Sequence, residues 1–285
     1  MKTGLFGVLS LLSVLAPGFS VQAETLLERG KYLMDAVVAC GNCHTPQGQT
    51  GPVPGQEFAG QLVLEIDGVM TAWAPNITPD PEAGIGSWTD GQLVKAIREG
   101  VRPDGSVIAP IMPVELYRAL SDRDAQALVA YLRQVRPIAN AVPRSEFHIP
   151  LPPDYGPPLG PIEDVPASDP LAYGAYLVSI AHCMECHTPM TDKGIRDFDN
   201  RMGAGGFEIP GPWGVSVSSN ITPHADGIAA YSDVEIKRMI STGIRPDGSR
   251  MAPPMAYAYY AKILPGDLDA IVAFLRQLPP KPSPN

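Results

Sequence analysis

An all-α fold, made of two tandem copies of one small helical domain with long loops and joined by a Pro-rich linker, is what the sequence predicts. Three observations carry that expectation. The pentapeptide Cys-x-x-Cys-His occurs twice, as Cys40-Gly41-Asn42-Cys43-His44 and Cys183-Met184-Glu185-Cys186-His187, and uses all 4 cysteines of the 285-residue chain. The residues around the two motifs repeat with an offset of 143 or 144. Between the copies, Pro137 to Pro170 holds 10 prolines in 34 residues; each removes a backbone donor and fixes φ, which makes the segment an extended, semi-rigid connector.

Residues 1–23 read as a signal peptide. Lys2 opens a short basic region, Leu5 to Leu15 is apolar and broken only by small residues, and Val21-Gln22-Ala23 offers small residues at a cleavage position. The apolar run is short of the roughly 20 residues a spanning helix needs, and no later stretch approaches that length. An uncleaved anchor is the alternative. The expected location is the periplasm, free or peripheral to the inner membrane. Removing the peptide leaves about 262 residues, divided into a first domain (24–136), the linker (137–169), a second domain (170–278) and a short tail (279–285).

The repeat is legible throughout. Gly30-Lys31-Tyr32-Leu33 matches Gly174-Ala175-Tyr176-Leu177; Asn76-Ile77-Thr78-Pro79 matches Asn220-Ile221-Thr222-Pro223; Arg102-Pro103-Asp104-Gly105-Ser106 matches Arg245-Pro246-Asp247-Gly248-Ser249. Each copy predicts three helices. The first enters the cysteine motif, over about Leu26 to Val38 and Pro170 to Ala181. The middle one is announced by capping, since Thr89 with Gln92 and Ser232 with Glu235 each put a hydroxyl at the N-cap and Gln or Glu three residues later. Gly100 and Gly243 supply the left-handed residue that stops it. The last, about Asp122 to Gln134 and Gly266 to Gln277, carries apolar residues at helical spacing, as in Leu128, Val129, Leu132 and Val135. The Asn-Ile-Thr-Pro segments read as loop.

The motif itself is the attachment signature of c-type haem. Two thiols three positions apart reach two carbons of one porphyrin, and the following imidazole lies beneath the iron. Other readings fit less well. A thioredoxin-like dithiol belongs in a strand–helix alternation that is absent here. One zinc site usually separates its cysteine pairs by roughly 12 to 20 residues, whereas more than a hundred intervene here. A disulfide within either motif closes a strained loop.

A sixth ligand has to recur if both irons are coordinated alike. Met112 and Met255 are equivalent in the repeat, each in a Pro-x-Met loop stiffened by proline. Met251 is the rival in the second copy, but Ile108 stands at its counterpart. His148, His182 and His224 have no counterparts: His182 aligns with Ala39, and His224 with Asp80 or its neighbour. Trp88 and Tyr231, at equivalent positions, are candidate donors to a haem propionate, with plain packing as the alternative. Arg102 and Arg245 are further propionate candidates or simple turn residues.

These residues resemble the class I cytochrome c family in its tandem two-domain form, and in particular the dihaem cytochrome subunits that serve membrane or periplasmic alcohol and gluconate dehydrogenases. Those subunits often carry three haems; this chain has two motifs. The resemblance implies two covalently bound haem c groups, with thioether bonds from Cys40, Cys43, Cys183 and Cys186 and axial ligand pairs His44–Met112 and His187–Met255. It implies that Gly30 and Gly174 let the first helix cross closely against Tyr131 and Phe274 of the last. It implies that the carbonyls of Pro46 and Pro189 accept from the ligand imidazoles.

Filled axial positions leave no metal site for substrate, so the expected role is single-electron transfer and not catalysis. The donor would be a periplasmic dehydrogenase, the acceptor a monohaem cytochrome or terminal oxidase. The competing class is a dihaem redox enzyme: a peroxidase, which needs an openable iron, or a thiosulfate-oxidising cytochrome resembling one with a cysteine ligand, for which no fifth cysteine exists. The net charge of −9 argues against nucleic acid or an anionic membrane surface as partner.

Overall fold

The computed structural model describes residues 24–48, 51–211 and 213–284; the expected signal peptide lies outside them. The helices fall close to where the repeat puts them. Helix α1 (Leu26–Tyr32) opens on a capping box, with Glu28 N–H donating to Thr25 Oγ1 at 3.2 Å and Thr25 N–H to Glu28 Oε2 at 2.9 Å. It runs into a single π turn, Leu33–Val37, and then into α2 (Gly41–His44). The chain continues through α3 (Asp90–Glu99), α4 (Val114–Tyr117) and α5 (Asp122–Leu132). The second half repeats the order with α6 (Pro170–Ile180), α7 (Cys183–His187), α8 (Phe198–Arg201), α9 (Asp233–Thr242), α10 (Tyr257–Tyr260) and α11 (Pro265–Gln277). The middle helices α3 and α9 carry both expected capping boxes and end on Gly100 (φ 68°) and Gly243 (φ 65°).

The fold is not all-α. Among the described residues, three small antiparallel sheets lie in the loops: β1 (Gln47–Gly48) with β2 (Gly51–Pro52); β3 (Gln61–Ile66), β4 (Met70–Ala74) and β5 (Glu146–Phe147) in that order; and β6 (Glu208–Gly211) with β7 (Gly214–Val217). The β3–β4 hairpin pairs Gln61 with Ala74 and Ile66 with Met70. Asp67-Gly68 between apolar neighbours is the turn that drives it, with Gly68 at φ 68°.

The first and last helices of each half cross at glycine. A Cβ on Gly30 would stand 1.9 Å from the Ala127 carbonyl oxygen and 3.0 Å from Tyr131 Cβ; on Gly174, 2.0 Å from Ala270 O and 2.9 Å from Phe274 Cβ. That contact depth lets Leu33, Met34 and Val37 pack with Leu128 and Leu132, and Leu177, Val178 and Ile180 with Ile271 and Leu275, all buried. Burying each such side chain contributes about 1.5–3 kcal/mol.

The proline-rich segment does not hang free. Ile138 N–H donates to Thr78 Oγ1 (3.1 Å), β5 extends the β3–β4 hairpin, Tyr155 OH donates to Ile108 O (2.8 Å), and Ile162 O accepts from Asp122 N–H (2.9 Å). It wraps the first half, which uses the few backbone donors its prolines leave.

Candidate functional site

Each Cys-x-x-Cys-His motif is one helical turn, α2 or α7, and a turn of helix puts residues i, i+3 and i+4 on one face. A left-handed residue precedes each: Ala39 at φ 53° and His182 at φ 46°. Neither is glycine. Holding such a conformation costs on the order of 1–3 kcal/mol and persists where the surroundings fix it; here it breaks the entry helix and re-aims the next turn.

The four cysteines are unpaired. Burial pushes the thiols of Cys40 and Cys183 up to about 12, and that of Cys186 up to about 11. A reactive dithiol needs the opposite shift. Among the described residues, no group of three His, Cys, Asp or Glu side chains is placed to hold a bare metal ion. What remains suits a porphyrin: two free thiols and one imidazole on a common face.

The imidazoles are oriented by long-range contacts. His44 Nδ1 donates to Pro75 O at 2.8 Å and His187 Nδ1 to Ser219 O at 2.6 Å, leaving Nε2 free to bind iron. Burial lowers both histidines, partly offset by those carbonyls, which favours the neutral ring that a metal requires. The expected acceptors, the carbonyls of Pro46 and Pro189, are occupied elsewhere, by Val53 N–H (2.8 Å) and Asp197 N–H (3.0 Å). The first turn after each motif folds back on itself and removes them from reach.

The carbonyls that do serve sit immediately before the Asn-Ile-Thr-Pro segments, and those segments fix them. Asn76 Oδ1 accepts from Thr78 N–H (2.9 Å) and Oγ1 (2.7 Å), while Asn76 Nδ2 donates to Ile138 O at 2.6 Å. Asn220 does the same with Thr222 (2.8 and 2.7 Å) and Lys281 O (2.7 Å). Thr78 and Thr222 are fully buried. The residues following α11 thus repeat the role of the residues following α5.

Met112 and Met255 lie just before α4 and α10, half-buried, and pack against the same apolar cluster as Cys40 and Cys183. Their carbonyls accept from Val114 N–H (2.7 Å) and Tyr257 N–H (2.9 Å), which makes the two loops equivalent in backbone as in sequence. Met251 packs on the cluster as well, but its N–H donates to Gly243 O (2.8 Å) as that of Ile108 does to Gly100 O (2.7 Å). Arg102 and Arg245 brace their own turns, bonding Val107 O (3.0 Å) and Arg250 O (3.2 Å). Trp88 and Tyr231 pack half-buried on the core and offer their carbonyls to Arg133 and Arg276.

Sequence reasoning missed that the two motifs are neighbours. Tyr260, buried and raised by that burial, lies close to Cys183, Cys186 and Cys43 together; its counterpart Tyr117 lies close to Cys40 and Cys43. Tyr117 meets His182 edge-on, ring centroids 6.2 Å apart. Tyr259 reaches across to Gly41, where a Cβ would come within 2.4 Å of its hydroxyl. The recurrence of Tyr117 at Tyr260 was the available signal.

Residues 27–136 match the cytochrome c family model. The chain is 34% identical to the fructose dehydrogenase cytochrome subunit of Gluconobacter japonicus, over 90% of this chain and 53% of that protein. It is 32% identical to the gluconate 2-dehydrogenase cytochrome c subunit of Pantoea cypripedii, over 85% and 57%, so it spans about half the length of these dehydrogenase subunits. With a diheme cytochrome c-type protein of Cereibacter sphaeroides it shares 30% identity over 84% of this chain and 82% of that one. The chain belongs to the cytochrome c family, proteins that bind haem c covalently and transfer electrons.

Proposed function

We propose that this chain is a two-haem electron carrier of the periplasm, taking electrons one at a time from a dehydrogenase and passing them to a monohaem cytochrome or terminal oxidase. The single observation that carries the reading is the recurrence of one donor set, two free thiols, a carbonyl-bound imidazole and a loop methionine, on equivalent elements of both halves. The relatives' names as dehydrogenase subunits support the donor class, and residues 1–23 support export. In this reading residues 24–136 and 170–278 are the two haem domains, 137–169 the connector and 279–285 the tail.

Cys40 and Cys43 would hold one haem through thioether bonds, and Cys183 and Cys186 the other. Haem c supplies a one-electron ferric/ferrous couple, and a His/Met ligand pair raises its potential. His44 and His187 would hold the iron through Nε2, their Nδ1–H being fixed by Pro75 O and Ser219 O. Met112 and Met255 would supply a thioether sulfur as the second protein ligand of each iron. Such a ligand set would leave a substrate no open metal position, which suits a carrier of single electrons. The test is haem content with electron paramagnetic resonance of the oxidised protein: two haems per chain, both low-spin. A high-spin centre, or turnover with peroxide, would contradict the carrier.

A further inference from the structure

We propose that connector residues 154–157 form a clasp over the Met112 loop that the Met255 loop lacks, so that the second loop is the one an added small ligand opens first. The inference rests on the reading of Met112 and Met255 above.

Each middle helix ends on a left-handed glycine, and in both halves a tyrosine ring lies against that glycine. A Cβ on Gly243 would meet Tyr257 Cε2 and Cζ at 2.9 Å, and Tyr257 belongs to the second half itself, at the start of α10. Its counterpart in the first half is Val114. The ring over Gly100 comes instead from the connector: a Cβ there would stand 2.7 Å from Tyr155 Cδ2 and Cε2. The two rings fill the same place but bond differently. Tyr155 OH donates to Ile108 O at 2.8 Å, and Ile108 N–H is already held by Gly100 O at 2.7 Å. Both backbone groups are thus fixed where the Met112 loop begins. The Tyr257 hydroxyl, by contrast, is buried with no hydrogen-bond partner among the described residues.

The clasp has a second arm. Gly156 N–H donates to Asp154 Oδ1 at 2.9 Å, and Gly156, at φ 109°, turns the chain so that Pro157 O accepts from Arg118 Nη2 at 2.8 Å. Arg118 directly follows α4. The connector therefore grips the segment 108–118 at both ends, with Met112 between them. The counterpart of Arg118 is Ala261, whose side chain has no donor, so the segment 251–261 lacks both arms.

The experiment uses the loaded full chain, with imidazole as the competing ligand. Met255→Ala leaves Met112 as the source of the sulfur-to-iron band, and Met112→Ala leaves Met255. Losing the band should take about three- to tenfold more imidazole in Met255→Ala than in Met112→Ala, the worth of one or two hydrogen bonds. Adding Tyr155→Phe to Met255→Ala keeps the ring over Gly100 and should lower the required imidazole about threefold. Adding Tyr257→Phe to Met112→Ala removes a hydroxyl that has no partner and should change nothing. Hydrogen–deuterium exchange should quicken over residues 108–118 in Tyr155→Phe and stay as in wild type over 251–261. Should Tyr155→Phe not fold, Arg118→Met, which releases the other arm, is read the same way. Equal imidazole requirements in the two single-methionine proteins, or a Tyr155→Phe variant in which band loss or exchange is unaltered, overturns the clasp. A Met255→Ala protein with no band before imidazole is added overturns the Met112 reading instead, and the exchange measurement then still decides the clasp.

Discussion

The Tyr176 hydroxyl donates to the Asp124 carboxylate at 2.6 Å, and its counterpart Tyr32 donates to Asp267 at the same distance. Each bond joins the first helix of one half to the first turn of the last helix of the other, so the halves meet through a pseudo-two-fold contact. Asp124 also receives a bidentate Arg29 (2.8 and 2.7 Å) in a buried pair. Position 29 has Tyr173 as its counterpart, and among the described residues no cation pairs with Asp267 in the same way. Removing one hydroxyl should cost about 1–3 kcal/mol, because the carboxylate loses a donor. Asp124→Ala should cost about 3–5 kcal/mol by stranding Arg29. Urea unfolding of Tyr176→Phe, Tyr32→Phe and Asp124→Ala checks the order, with Asp124→Ala the least stable.

Gly41 is small because Tyr259 of the other half lies over it. Gly41→Ala would place a Cβ 2.4 Å from the Tyr259 hydroxyl and should destabilise by about 1–3 kcal/mol through overpacking. At the counterpart positions the large residue is Met184, and its opposite number is Leu116. Pairing Gly41→Ala with Tyr259→Leu should therefore recover most of the loss, read as a favourable coupling in a double-mutant thermal cycle.

Asn76 is the strut beneath the His44 acceptor. Asn76→Ala strands the buried Thr78 N–H, costing about 1–3 kcal/mol, and frees the Pro75 carbonyl to shift. The first centre's potential should move while the second, held by Asn220, stays put. Redox titration of the variant measures both.

Burial lowers His182 to about 4 from its ordinary 6.5. The unfolded chain then binds more protons than the folded one between those values, so stability from this group is full above about 6.5 and falls as pH drops towards 4. His182→Ala should flatten the difference in unfolding free energy between pH 7 and pH 4.5, measured in urea on both proteins.

Local chemistry was readable before the fold was. Capping boxes at Thr89 and Ser232, the glycine stops and the recurrence of Met112 at Met255 all depend on neighbours a few residues apart. The sheets were not expected, although Asp67-Gly68 between Ile66 and Val69 is a hairpin signal; long irregular loops hid it. The imidazole acceptors could not be found by scanning near the motif, since Pro75 lies 31 residues from His44 and Ser219 32 from His187. The interface was hidden for the same reason: Tyr176 and Asp124 stand 52 residues apart, and nothing local to either announces the other.

The two methionines are the most directly testable part of the proposed coordination. The sulfur-to-iron charge-transfer band of the oxidised protein should fall by about half in Met112→Ala, by about half in Met255→Ala, and vanish in the double variant, each chain still holding two haems. An undiminished band in Met255→Ala, or its loss in Met251→Ala, would contradict it.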